Sequence, residues 1–303
     1  MTDSVLDREA IRRSRQRLLL ADYHAHMLAA KQDVLGQRAA LGEAYLKDHV
    51  DQDPGDLIAR DVAIATSDQA ALPLVRATIR EARGRIAEGL KHPVFAKGSL
   101  EYIAFGDAFG EDSAAVQWAW SPEVLCPVIR YFGMLPVLAD IVITRATATE
   151  LLTETSHMYH ADPDDITQMK VFLHLTDVVA EGGPFHALPA NLSAVVGESL
   201  AYPRGRIMDE DVEKVVGRGR TVASVGPPGT VTFCDTTRCY HFGGRPGRAG
   251  GPIRELLIAR FILPTSTLFP QFEGDGQADR MMSLLQPKPG DATWNAFIGS
   301  TLV

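Results

Sequence analysis

The sequence predicts a mainly β core with helices, preceded by an α-helical N-terminal region, and two patterns predict it. From residue 5 to about residue 91, apart from a turn cluster near 50–56, apolar positions recur at three- and four-residue spacing, as with Leu18, Leu19, Tyr23, Met27 and Leu28. From Val137 onward the chain changes to runs rich in Val, Ile and Phe separated by glycine and proline turns. At 303 residues the chain is long for one compact core, so one large domain with an appended region is expected. The expected division is a helical region over 1–95 that packs on a core formed by 96–303, with an insertion near 192–222.

Helical patterns run from residue 5 to about 50 and from Asp56 to Lys91. His24 and His26 stand two apart and do not share a helix face, so they read as partly exposed helix residues. Arg76, Arg80 and Arg83 form a basic stripe, either a solvated face or a dock for an acidic group of a substrate. Phe95 to Trp120 mixes glycine, aromatic and strand-like residues and is expected at the edge of the core. On a strand Trp118 and Trp120 would share a face, as core packing or as a substrate wall. Ser121-Pro122-Glu123 is a helix start, with Ser as N-cap and Pro in the first turn, and Gly133 stops the helix after Phe132. Val137 to Thr147 reads as the first strand of the core. Leu192 to Val222 has loop and helix character, where a lid or substrate-selecting loop would sit.

Composition narrows the function. With 46% hydrophobic and 22% charged residues the chain is ordinary globular material. A net charge of −8 and the absence of a basic patch off a helical face argue against nucleic-acid binding. Three cysteines without paired spacing suggest a reduced, cytoplasmic protein. Cys234 and Cys239 bracket a histidine-bearing region, but a zinc site there lacks further partners. The charged stretch Asp7–Arg17 and the short Leu18-Leu19-Leu20-Ala21 run make neither an export signal nor a membrane span, so a soluble protein is expected.

The chemistry centres on residues 153–165, and within them on His160-Ala161-Asp162. In an extended strand, residues two apart point the same way about 6–7 Å apart, close enough for imidazole and carboxylate to grip one ion. The pair is therefore a candidate for two ligands of a two-histidine, one-carboxylate iron(II) site. With nine histidines and 38 acidic residues, such a match is expected by chance, and His49-Val50-Asp51 is a second one. The residues downstream of each pair separate them. A turn cluster, Gln52-Asp53-Pro54-Gly55-Asp56, comes after His49, which reads as a solvated helix-end residue. After Asp162 come a strand-like run from Met169 to Val179, a Gly182-Gly183-Pro184 turn, and Phe185–Ala190. Further on, Gly229-Thr230-Val231-Thr232-Phe233-Cys234-Asp235 leads to His241, and Ile253–Leu263 closes the series. Arg254 begins that last strand, on one face with Leu256 and Ile258, where a guanidinium can hold a carboxylate through two parallel hydrogen bonds. Arg245 and Arg248 lie in a loop with five glycines and two prolines over residues 243–252 and are the fallback for that role.

From about Val137 to Pro264 the chain resembles the phytanoyl-CoA dioxygenase family of iron(II)- and 2-oxoglutarate-dependent oxygenases. The resemblance is carried by His160 and Asp162, the Lys170-Val171-Phe172 strand ending in Thr176-Asp177-Val178, the Gly183-Pro184-Phe185 turn, His241 after its Gly-Thr-Val-Thr-Phe strand, and an Arg beyond. Where many members have a Pro-Gly-Ser-His turn, this chain has Leu188-Pro189-Ala190-Asn191. The resemblance implies a double-stranded β-helix (a cupin-like jelly roll) with iron(II) on His160, Asp162 and His241. It also implies 2-oxoglutarate as cosubstrate with its distal carboxylate on Arg254, and O2 as oxidant. The implied outcome is hydroxylation of an unactivated C–H bond of a small molecule, with succinate and CO2 formed. The carboxylate of Asp162 argues against a halogenase, whose relatives keep a small residue there. On the Lys170 strand, Lys170, Phe172, His174 and Thr176 share one face. Lys170 and His174 are expected either to line the pocket, with Lys170 near the cosubstrate, or to face solvent from an edge strand. The helical N-terminal region either shapes the pocket or builds a homodimer. The rivals are a cupin-like metal enzyme that does not use 2-oxoglutarate and a non-catalytic binding protein on the same scaffold.

Overall fold

In the computed structural model, which describes residues 21–89, 95–97, 100–103, 110–146, 157–162, 165–201, 206–243, 245, 253–267 and 285–302, the strands form two antiparallel sheets. Helical residues 21–30 lead to α1 (Gln32–Asp48), followed by β1 (Ile64–Asp68), α2 (Pro73–Gly89), β2 (Phe95–Lys97) and β3 (Leu100–Ile103). Then come α3 (Ala114–Trp120), α4 (Pro122–Phe132), β4 (Val137–Ala146), β5 (Met169–His174) and β6 (Phe185–Ala187). The remainder is α5 (Ala190–Ser199), α6 (Asp209–Val216), β7 (Val222–Ser224), β8 (Thr230–Asp235), β9 (His241–Phe242), β10 (Arg254–Ile262) and α7 (Ala292–Phe297).

The large sheet has the order β1-β8-β5-β10-β4-β3-β2 and the small one β7-β6-β9. Register decides which side chains share a face. Lys170 lies opposite Arg260 and Cys234, Phe172 opposite Ile258 and Thr232, and His174 opposite Leu256. Because cross-strand partners point the same way, these residues and Arg254 line one face of the large sheet. The small sheet covers that face: the Phe172 ring stacks on Phe185 with centroids 4.5 Å apart, and His174 Nε2 lies 2.8 Å from Ser224 Oγ. The opposite face, with Val171, Leu173, Val231, Phe233, Leu257 and Ala259, joins a core with Trp118, Leu125, Val128, Trp294 and Phe297 from the helices. Each fully buried Val, Leu or Phe among them contributes roughly 1.5–3 kcal/mol.

Strand β5 is therefore covered on both faces and flanked by β8 and β10, so it is buried nearly throughout instead of alternating. The edge-strand alternative for Lys170 and His174 is overturned. Gly229 sets β8 against the chain before α2: its φ is +97°, and an added Cβ would stand 2.5 Å from Ala70 Cα, so only glycine fits.

Three sequence expectations change. Trp118 and Trp120 lie on helix α3, not on a strand. Ser113 caps that helix, with its Oγ accepting from Ala115 N at 3.2 Å, and Glu81 accepts from both groups. Trp118 is core, whereas Trp120 packs edge-on against Tyr45, Trp294 and Phe297. The pattern from Asp56 to Lys91 holds a helix only from Pro73; before it, β1 pairs with β8 from Ile64↔Cys234 to Asp68↔Thr230. The strand expected over Met169–Val179 ends at His174, because Thr176 turns its Oγ1 to Ile253 O at 3.2 Å as the chain leaves the sheet. The α4 helix starts and stops where the sequence indicates, with Gly133 at φ +77°. Among the described residues, no helix is long and apolar enough to cross a membrane.

Candidate metal centre

Two short segments bring the predicted ligands together. His160 N donates to His241 O at 3.0 Å and His241 N donates to His160 O at 2.8 Å, while Asp162 N donates to Thr236 O at 2.9 Å. With the backbones so paired, one ligand atom from each of His160, Asp162 and His241 falls within 4.8 Å of the others. Among the described residues no other set of three His, Cys, Asp or Glu side chains does this. His49 instead caps α1 and stacks on Tyr45 with centroids 4.1 Å apart.

The surroundings prepare each ligand. His160 Nδ1 lies 2.9 Å from Met158 O and His241 Nδ1 lies 2.9 Å from Cys239 O. A carbonyl only accepts, so both Nδ1 atoms carry a proton and the ligating role falls to Nε2. Burial, with the His160 imidazole beside it, pushes the His241 pKa down to about 3, so this ligand is neutral at physiological pH. Asp162 uses its two oxygens differently. Oδ2 accepts from Gln168 Nε2 at 2.8 Å and from Lys170 Nζ at 2.7 Å, while Oδ1 faces His241 Nε2 at 3.9 Å. Burial alone would raise this carboxyl's pKa, but the Lys170 ammonium, by its charge and its hydrogen bond, holds it well below the usual range. The result is two imidazoles, that of His241 neutral, and one carboxylate oxygen within 4.8 Å of one another, a donor set that suits non-haem iron(II) with positions left open.

Asp235 holds the turn between Thr236 and His241. Its buried carboxylate accepts from Thr167 Oγ1 (2.7 Å), Tyr131 OH (2.8 Å), Thr237 Oγ1 (2.7 Å), Thr237 N (3.1 Å) and Arg238 N (3.2 Å). Arg238 Nη1 in turn donates to Tyr131 OH at 2.7 Å. This knot places Thr236 O for Asp162 and Cys239 O for His241.

Arg254 stands at the other end of the same sheet face, 6% exposed. Among the described residues neither its Nε nor its Nη1 has a hydrogen-bond partner. Burial lowers its pKa to about 10, which leaves it cationic at neutral pH. A Cβ on Gly243 would lie 3.1 Å from Nη1, so this glycine leaves the room the guanidinium occupies. On the same face, His174 is kept neutral: burial lowers its pKa to about 4 against the pull of a hydrogen bond to Gly226 O, and the Arg254 cation adds to the lowering. Of the fallback arginines, Arg245 is engaged by Asp209 in a bidentate ion pair and does not fill the carboxylate-binding role, and Arg248 lies outside the described residues. The Arg76, Arg80, Arg83 stripe is an exposed face, with Arg76 and Arg83 donating to backbone carbonyls.

Gln168, Asp235 and the Asp209–Arg245 pair are missing from the sequence-based site. Asp235 had a legible signal: an Asp that ends an apolar strand and is followed by Thr-Thr fits a turn in which its carboxylate accepts the amide two residues on. Gln168 had none.

No protein-family model and no curated protein matches the chain. Among solved structures it is similar to a non-haem α-ketoglutarate-dependent epimerase, SnoN from nogalamycin biosynthesis, at 18% identity over 67% of this chain and 79% of that one, TM-score 0.47. It is also similar to HygX from Streptomyces hygroscopicus, solved with nickel, 2-oxoglutarate and hygromycin B, at 11% identity over 67% and 84%, TM-score 0.47. A third is EctD from S. alaskensis, at 13% identity over 67% and 74%, TM-score 0.49. With TM-scores below 0.5 these likenesses fix no function for this chain; its own site has to.

Proposed function

We propose that this chain is a non-haem iron(II)- and 2-oxoglutarate-dependent dioxygenase with a double-stranded β-helix core, hydroxylating a C–H bond of a small molecule. One observation carries the reading. A two-histidine, one-carboxylate cluster, joined to the covered face of the large sheet through Asp162 and Lys170, has at the far end of that face a buried arginine whose Nε and Nη1 have no partner among the described residues. A buried guanidinium left so is costly until an anion reaches it, and a dicarboxylate would offer one end to a metal and the other to that arginine.

Bound iron(II) and 2-oxoglutarate would supply the oxidising power, with dioxygen as oxidant and succinate and CO2 as co-products. The chain's part is to bind and orient. His160 and His241 offer Nε2 and Asp162 offers Oδ1, while Gln168 and Lys170 occupy Oδ2 and keep the carboxylate a one-oxygen ligand. Arg254 takes the distal carboxylate, whereas Lys170, expected near the cosubstrate, has its ammonium on Asp162 Oδ2 at 2.7 Å. Phe172, Phe185, Leu256 and Ile258 exclude water between the two ends. Because Asp162 fills one metal position, hydroxylation is favoured over halogen transfer.

The test is an anaerobic titration of metal-free protein with iron(II) and then 2-oxoglutarate, following the weak visible charge-transfer band of the chelate. The band is expected in the wild type, absent in His241→Ala, and reached only at much higher cosubstrate in Arg254→Ala. Iron binding without a band refutes the cosubstrate assignment and favours a metal enzyme that does not use 2-oxoglutarate.

A further inference from the structure

Arg245 joins three segments that are far apart in sequence. Its Nη1 and Nη2 donate to Asp209 Oδ2 and Oδ1 at 2.5 and 2.8 Å, and its Nε donates to His157 O. Its guanidinium carbon stands 3.6 Å from the centroid of the Phe242 ring and 5.8 Å from that of Tyr159. Those two rings meet edge-on at 4.7 Å, and His186 stacks on Phe242 at 4.7 Å. Phe242 comes directly after His241 and Tyr159 directly before His160, so the guanidinium rests on the neighbours of two metal ligands. Asp209 opens α6 in the insertion, and two residues earlier Ile207 N donates to Tyr159 O at 2.8 Å.

The His160 segment is thus a narrow ribbon. On one side it is bonded to His241, on the other to Ile207, each through an isolated bridge. Such bridges hold a backbone only if something next to them fixes the register. Arg245 has the means: a planar fork that meets a carboxylate with two hydrogen bonds while its face lies on an aromatic ring, a combination lysine cannot reproduce. Its side chain is 24% exposed, so the pair with Asp209 is partly shielded from solvent.

We propose that Arg245 is a positioning residue that clasps the insertion to the metal centre, so that iron(II) binding and the ordering of residues 206–216 are coupled. The inference rests on the metal reading above. Coupling of this kind is reciprocal: a clasp that improves the metal site is itself tightened by the metal. The insertion that stands where a substrate-selecting element would be therefore closes more firmly on the loaded enzyme than on the empty one.

The experiment uses the full chain under anaerobic conditions. Iron(II) affinity is measured for wild type, Arg245→Lys, Arg245→Ala, Asp209→Asn and the Arg245→Ala/Asp209→Asn double variant, alongside amide hydrogen exchange over 206–216 with and without iron(II). In the wild type, iron(II) should slow exchange at Ile207 and through α6. Arg245→Ala and Asp209→Asn should each weaken iron(II) binding about tenfold, as loss of an outer support of a metal ligand does. The double variant should be hardly worse than the single ones, because the two share one interaction. Arg245→Lys should fall between, and the iron-dependent protection of α6 should vanish in Arg245→Ala. Unchanged iron affinity, or iron-dependent protection that persists in Arg245→Ala, overturns the proposal and leaves Arg245 a purely structural contact. A wild type that takes up no iron(II) refutes the metal centre itself, and the clasp's role with it.

Discussion

Asp235 and Arg254 are both charges buried in the β core, and they are treated in opposite ways. Asp235 is ringed by hydroxyl and amide donors from Tyr131, Thr167, Thr237 and Arg238, and burial still pushes its pKa up. Arg254 keeps two nitrogens without partners among the described residues. Desolvating a charge costs several kcal/mol unless fixed partners offset it. Where the protein supplies those partners itself, the charge builds structure; where it withholds them, the charge waits for a ligand. The same rule separates Arg245, committed to Asp209, from Arg254, the receptor in the function proposed above.

Substitution can break this comparison most strongly at Asp235. Asp235→Ala leaves donors on Tyr131, Thr167 and Thr237 without their acceptor and should lower stability by about 3 kcal/mol in denaturant unfolding, since each buried donor left unsatisfied costs about 1–3 kcal/mol. A loss below about 1 kcal/mol would remove Asp235 from the architecture. Arg254→Met should do the reverse. Stability should hold or rise, since an uncompensated charge is gone, while 2-oxoglutarate affinity of the iron-loaded protein drops about a hundredfold in titration, the scale of a desolvated ion pair. If Arg254→Met binds the cosubstrate normally, the receptor lies elsewhere.

His174 sharpens the contrast through pH. Its folded pKa of about 4 lies below the ordinary 6.5, so between those values the unfolded chain binds a proton that the folded one does not. Its contribution is therefore lost as pH falls from 6.5 toward 4, amounting to about 2 kcal/mol at pH 5. His174→Gln should flatten the fall in melting temperature between pH 7 and pH 5 relative to wild type, and identical profiles would count against the buried neutral imidazole. The smallest effect is expected at Gln168. Gln168→Leu removes one of two donors to Asp162 Oδ2 and should weaken iron(II) binding about tenfold, with the melting temperature of the metal-free protein much less affected.

Much of the site was legible before any tertiary structure. His160 and Asp162 stand at strand spacing, the Gly229–Asp235 run leads to His241, and Arg254 opens a strand; the structure brings the three ligand candidates together and buries Arg254 with two nitrogens unpartnered among the described residues. Other features were not legible. Trp118 and Trp120 at a spacing of two fit a strand, but the Ser113 cap and apolar positions at 115, 116, 118 and 119 make a helix. Lys170 and His174 allowed an edge strand until the strand order put β5 between β8 and β10.

By itself the sequence determined what neighbours along the chain decide: the periodicity that separates helix from strand, the caps at Ser121 and Gly133, and the alternation that groups Arg254 with Leu256 and Ile258. Only the tertiary structure decided which donors reach which acceptors. Asp209 and Arg245 are 36 residues apart, Gln168 and Thr236 are 68 apart, and Tyr131 and Asp235 are 104 apart. Local dihedral preferences act over a few residues, whereas these pairings come from sheet register and from two sheets closing on one another. That closure gives Asp235 its ring of donors and leaves two nitrogens of Arg254 without partners among the described residues.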